Sequence, residues 1–236
     1  MAKHVLITGF EPFGGGNVNP SELVARSLEG RPIAGRLIVT CILPVATRNV
    51  RERLERAMLE EQPDIVIALG QAGGRSAVAL ERVAVNVLDF DRPDNAGETR
   101  ENEPIQRGGP DARLSGLPFD AIVGAWKEHD VPGYVSNSAG TYICNQVLYE
   151  VLGLAEAASP PIAAGFVHLP YLPAQAIAAG PDSSPSMSFD LMKRAMEILI
   201  ETVVPWVEHR TSERSGGSRP AGSKMWIPRG VKEVER

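Results

Sequence analysis

Cys144 stands in the stretch SNSAGTYICNQVLYE, residues 136–150, where small polar residues give way to a helical pattern. A thiol in the first turns of a helix lies among free N–H groups and at the positive end of the macrodipole, and both favour thiolate. Cys144 is therefore a candidate nucleophile; a core cysteine on the buried face of the same helix is the competing reading. A nucleophile needs a base. Of the four histidines, His4 opens an apolar run, His129 sits in a turn and His209 ends a long helical pattern. His168 differs, because it closes AAGFVHLPYLP, an apolar strand pattern halted by prolines. Open α/β sheets place their sites at the carboxyl ends of strands. A satisfied core histidine is the alternative there. Glu81 interrupts the apolar pattern SAVALERVAVNV, and a buried carboxylate is costly unless paired. Its partner is either an imidazole that it orients or the adjacent Arg82. Nucleophile, base and orienter together form the set used in acyl transfer.

Other motifs carry less. Cys41 lies within LIVTCILPV, where a thiol behaves as a small hydrophobe. The Gly-rich stretch TGFEPFGGGNVNPS follows the first strand pattern but has neither GxGxxG nor Gly-Lys-Ser/Thr, so it is no phosphate loop. It offers Phe10 and Phe13 on a glycine-flexed loop beside Asn19; packing under the core is the bland reading of both rings. Ser138 is followed by Gly140, but Ser136 stands where GxSxG requires glycine.

These residues need a scaffold, and the sequence specifies one. HVLITGF, RLIVTCILPV, DIVIALG, AVALERVAVNVL, YVSNSAG and AAGFVHLP read as strands, several apolar throughout, as in sheets covered on both faces. Helical patterns fall at 20–28, 46–61, 141–154 and 186–209. The first is well signalled: Asn19 caps, Pro20 takes the first helical position and Glu22 follows three residues after the cap. The expected fold is a three-layer α/β/α sandwich with a mostly parallel sheet, one domain over residues 1–209. The segment 89–118 is polar and rich in Gly and Pro, which suggests long mobile loops or a lid. Residues 210–236, with little apolar content, read as a flexible tail in which Trp226 is the one residue suited to docking.

The 236 residues, 43% of them hydrophobic, bury a sizeable core, and a net charge of −5 offers no basic field for nucleic acid or anionic lipid. No apolar run suggests a membrane span or a signal segment. Two cysteines, far apart, are too few for a disulfide scaffold, which points to a reducing cytoplasm.

In order and spacing, GFEPFGG, NPS, ALGQAGGR, the ERVAVN strand, PDNAG, SNSAGTYICN and VHLPYLPAQ resemble the pyroglutamyl peptidase I family, over about residues 3–209. The resemblance implies a phosphorylase/hydrolase-like fold and removal of N-terminal pyroglutamyl residues from peptides. It implies Cys144 as nucleophile, His168 as general base and acid, and Glu81 as orienter. Phe10, Phe13 and Tyr142 become walls of a lactam pocket, with Asn19 and Gln71 as polar contacts to the ring. It implies a cytoplasmic homotetramer with no cofactor and no metal. One position departs: the family arginine two residues before the proline of Pro-Asp-Asn, which helps stabilise the oxyanion, is Asp91 here, and Arg92 follows it. Either Arg92 supplies oxyanion support or backbone N–H groups near Cys144 do so alone. The alternative function is a weakened homologue that binds pyroglutamyl or other lactam ligands without cleaving them; a nucleoside phosphorylase of similar fold rests only on the first loop.

Overall fold

Long apolar runs that need cover on both faces become the middle of one sheet. The computed structural model describes residues 3–179 and 185–215. In chain order the elements are β1 (His4–Phe10), α1 (Pro20–Leu28), β2 (Pro32–Ile33), β3 (Arg36–Leu43), α2 (Val50–Glu61), β4 (Ile65–Gln71) and β5 (Val78–Glu81). There follow β6 (Val83–Val85), β7 (Leu88–Phe90), β8 (Arg100–Glu103), β9 (Ala112–Leu114), α3 (Phe119–Glu128) and β10 (Gly133–Ser136). The last are α4 (Ile143–Ala157), β11 (Ala163–Leu169), α5 (Pro173–Ala178) and α6 (Phe189–Ser215).

The main sheet has the order β10-β5-β11-β4-β1-β3-β2. Its strands β11, β4, β1 and β3 are parallel; β5 runs antiparallel to β11, and β2 antiparallel to β3. Helices on both faces complete the three layers that the alternating pattern called for. Val5, Ile7, Ile65 and Ile67 bury one face in a cluster with Val24 and Leu28 of α1, Trp126 of α3 and Leu199 of α6. Leu6, Val66, Ala68 and Phe166 bury the other with Leu54 of α2 and Val147 and Val151 of α4. Cys41 lies in this second cluster, 8% exposed.

The structure departs from the sequence reading in four places. The stretch 77–88 is not one strand: β5 belongs to the main sheet, β6 pairs with β9, and β7 pairs with β8. The break comes at Arg82, whose N–H donates to Ser136 O and whose carbonyl accepts from Ser115 N. Segment 89–118 is accordingly not a structureless loop, since β8 and β9 lie within it. Helix α3 escapes the sequence reading although Ile122 and Trp126, one turn apart, are both fully buried and Trp126 Nε1 donates to Ala195 O at 2.8 Å. The last helix also runs on to Ser215, so 210–215 continue it; the remainder of the expected tail, Trp226 included, lies outside the described residues.

Candidate functional site

Gly70, near the end of β4, is where the site begins. A methyl group there would lie 2.9 Å from Cys144 Sγ and 2.6 Å from Phe166 Cζ, so only glycine lets α4 and the β11 ring approach this backbone. Gly70 also stands opposite His168 in the β4–β11 register. Nucleophile candidate and imidazole therefore converge on one position of the sheet. Cys144 is the second residue of α4, following Tyr142 at the N-cap. Its N–H lies in the first turn, where no helical acceptor exists.

The antiparallel neighbour delivers the carboxylate. Glu81 is in register with Phe166, two residues from His168 on the same face of the β5–β11 pair. That diagonal lets Glu81 Oε1 accept from His168 Nδ1 at 2.7 Å, with both residues buried. Nδ1 then carries the proton, and Nε2 is the nitrogen left for the sulfur. Hydrogen bonds among the described residues include none between Cys144 and His168; in substrate-free sites such bonds are often long and tighten on binding. Arg82, the alternative partner of Glu81, instead lies 5.4 Å over the Phe119 ring. The guanidinium that does reach Glu81 belongs to Arg75, at 2.8 Å from the same Oε1.

The ionisation of this cluster reverses one sequence expectation. Burial, aided by the Glu81 charge, pushes the Cys144 thiol up to about 12 despite the opposing pull of Arg75. Burial also drives His168 below its ordinary value, against its hydrogen bond to Glu81. A helix terminus contributes about 0.3–1 kcal/mol at the surface, whereas full burial moves a pKa by up to ~3–5 units. Although Cys144 is half-buried as a residue, loss of hydration at its sulfur outweighs the helix end and favours a thiol beside a neutral imidazole. Burial works to raise the Glu81 carboxyl as well, but the hydrogen bond from His168, the His168 charge whenever the ring is protonated, and the Arg75 hydrogen bond hold it below the usual value.

Around this floor stands a rim of rings. Tyr142 meets Phe90 edge-on with centroids 4.7 Å apart and faces Phe13 at 6.4 Å. Arg92 lies 5.1 Å over Phe13 and has Nη2 3.5 Å from Gly14 O; these contacts anchor it at the rim. Phe10, by contrast, is 2% exposed within the core cluster of β1 and β3, so it supports the loop from beneath. Asn19 is also withdrawn: its Oδ1 accepts from Ser21 N and Oγ, and its Nδ2 donates to Glu11 O. The amide expected to touch a ligand ring caps α1 instead.

Gln71 opens on a cleft of about 470 Å³ lined also by Phe13, Arg92, Tyr171 and Gln175. Its orientation is fixed from behind. Gln175 Oε1 accepts from Leu172 N at 2.9 Å, so its amide nitrogen must be the end that donates to Gln71 Oε1 at 2.8 Å. Gln71 therefore has its NH2 group left for a ligand.

Two adjacent residues of the Pro-Asp-Asn motif latch the rim. Asp94 accepts from the N–H groups of Thr47, Ala96 and Glu98 and from Thr47 Oγ1. Burial tends to raise its carboxyl, but these donors hold it low. Asn95 donates to Glu11 Oε1 and Pro12 O, tying the Pro-Asp-Asn loop to the Gly-rich one. Sequence reasoning missed Gly70, Arg75, Phe90, Asp94 and Gln175 as contributors. Four of them lie within or beside the motifs that carry the family resemblance; Phe90, a lone aromatic next to Asp91, gave no signal. Among the described residues no group of three or more His, Cys, Asp or Glu could hold a metal ion.

A family model described as pyroglutamyl peptidase matches residues 3–205. The pyrrolidone-carboxylate peptidase of Thermococcus onnurineus is 48% identical over 198 residues, covering 84% of this chain and 97% of the relative. Pyrrolidone-carboxylate peptidase 1 of Ralstonia nicotianae is 44% identical over 94% of this chain and 98% of its own. Among solved structures, pyroglutamyl peptidase I of Bacillus amyloliquefaciens superposes with a TM-score of 0.81 at 40% identity, covering 85% of this chain and 96% of that one. A mutant pyrrolidone carboxyl peptidase of Pyrococcus furiosus gives 0.84 at 41%, covering 86% and 99%.

Proposed function

Because this chain belongs to the pyroglutamyl peptidase family and is a cysteine peptidase that removes N-terminal pyroglutamate, we propose that Cys144, His168 and Glu81 perform the cleavage. The observation that carries this reading is the buried 2.7 Å Glu81–His168 hydrogen bond meeting Cys144 across Gly70. Substrate binding brings the pyroglutamyl carbonyl to the sulfur. The S–H proton passes to His168 Nε2 as the S–C bond forms, and Glu81 stabilises the imidazolium through Nδ1. The imidazolium then protonates the departing amine, leaving a thioester on Cys144. Water, deprotonated by His168, attacks the thioester and releases free pyroglutamate and thiol. The oxyanion of each tetrahedral intermediate takes the Cys144 N–H, with the Arg92 charge as a more distant support.

Pyroglutamate is a flat neutral lactam, so it suits aromatic walls and a few directional amides. Phe13 and Tyr142 cover the ring, and Gln71 donates its NH2 to the lactam carbonyl. Phe10 and Asn19 serve from below, by holding the loop that bears Phe13. An analogue without that carbonyl leaves the Gln71 donor unpaired and is rejected on that account.

We extend the proposal to a cytoplasmic homotetramer, as the family resemblance implies. Two free thiols suit a reducing compartment, and exposed Leu59, Leu114 and Ile177 offer apolar surface for subunits. No helix among the described residues is long and apolar enough to cross a membrane. Light scattering of the purified chain tests the assembly. For the chemistry, the Cys144→Ala variant is expected to release no chromophore from a pyroglutamyl anilide while still binding free pyroglutamate. Retained turnover in that variant overturns the assignment.

A further inference from the structure

Glu81 is fully buried, yet its carboxyl is held in the charged form. An uncompensated interior carboxylate is costly enough to be neutralised by a proton from solvent or from a neighbour. His168 offers a full compensating charge only when protonated, a form its own burial disfavours. Among the described residues Glu81 Oε2 has no hydrogen-bond partner. With a neutral imidazole, the one full positive charge in contact with Glu81 among the described residues is the guanidinium of Arg75, in the loop between β4 and β5 and 23% exposed.

We infer that Arg75 is a positioning residue for the reaction: bonded to Glu81 Oε1, it neutralises the buried carboxylate so that His168 rests as a free base able to take the Cys144 proton. This inference deepens the proposed cleavage reading and rests on it. Without Arg75, the same carboxylate draws a proton onto the imidazole, and a resting Glu81–imidazolium pair has no lone pair at Nε2 for the thiol. The charged and titratable groups facing the imidazole are Glu81 from β5, Arg75 from the β4–β5 loop and Cys144 from α4. Of these, Arg75 works against imidazole protonation and lowers the Cys144 thiol, so its removal impairs base and nucleophile in the same direction.

The test compares wild type, Arg75→Gln and Arg75→Lys. In Arg75→Gln the acid limb of kcat/KM is expected to move up by about one pH unit, a loss of roughly tenfold on that limb that is regained at alkaline pH. The His168 imidazole, followed by NMR without substrate, titrates higher by the same amount. Arg75→Lys, which keeps a cation, stays near the wild-type profile and covers the case in which Arg75→Gln does not fold. A uniform drop in activity with an unmoved His168 titration overturns the inference, as does Arg75→Lys shifting as far as Arg75→Gln or, if Arg75→Gln does not fold, shifting at all. Loss of all turnover in Cys144→Ala stands independently of either result, so failure of the Arg75 role is distinguishable from failure of the cleavage reading.

Discussion

The floor and the rim of the site are made differently. On the floor, Glu81 and His168 project from adjacent strands, Cys144 from the first turn of a long helix, and Gly70 lies between them, so their spacing is set by sheet register and helix packing. At the rim, Phe13, Phe90, Arg92 and Tyr142 sit on loops or element ends that are tied together by side-chain hydrogen bonds from Asp94 and Asn95. Register tolerates almost no adjustment, whereas latched loops give a little. On the proposed reading, proton transfer between fixed atoms falls to the floor and recognition of a flat ring to the rim.

Substitutions on the two parts should then fail in different ways. Glu81→Gln keeps the shape of the floor but leaves the imidazole without a charged acceptor; kcat is expected to fall on the order of 10^4-fold with KM little changed, and steady-state kinetics on a pyroglutamyl anilide check it. Gly70→Ala pushes Sγ and the Phe166 ring aside, and displacements near 1 Å cost about a hundredfold; a crystal structure of the variant shows whether Cys144 has moved. Asn95→Ala, at the rim, is expected to raise KM about tenfold with kcat within about threefold, since it frees one loop while leaving the chemistry in place. A fall in kcat as large as that of Gly70→Ala would erase the distinction between floor and rim. Arg92→Gln comes last, with about a threefold loss of kcat/KM, because its guanidinium rests on Phe13 and Gly14.

Acid stability separates the parts further. The Asp94 carboxyl is held below its unfolded value of ~3.9. Its contribution to stability is therefore complete above that value and is lost as pH falls through the lower folded one. The stability advantage of wild type over Asp94→Asn, measured by urea unfolding, is expected to be constant from neutral pH down to about 5 and to shrink below about 4.

Much of the floor was legible because it follows local rules. The apolar runs of β1, β3, β4 and β11, the Asn19 cap and a cysteine at a helix entrance all have short-range signatures. What escaped depends on contacts distant in sequence. The break after Glu81 is made by Ser136 and Ser115, so an apolar pattern read along the chain runs straight through it. The family resemblance implies Asn19 and Phe10 as ligand contacts, whereas here Asn19 caps α1 and Phe10 is buried in the core. The helix end favours thiolate at Cys144, whereas burial of the sulfur pulls the other way, a balance no sequence spacing carries.

The thirteen residues from Val78 to Phe90 enter three separate pairings in succession, with β10 and β11, then β9, then β8. Inserting or deleting a single residue there would invert side-chain facing in whichever ribbon followed it. Length variation between relatives should be concentrated outside these thirteen residues and outside 104–111, where Gln106, Pro110 and Asp111 are hydrogen-bonded to Asn86 and Tyr149 and Ile105 packs on the core.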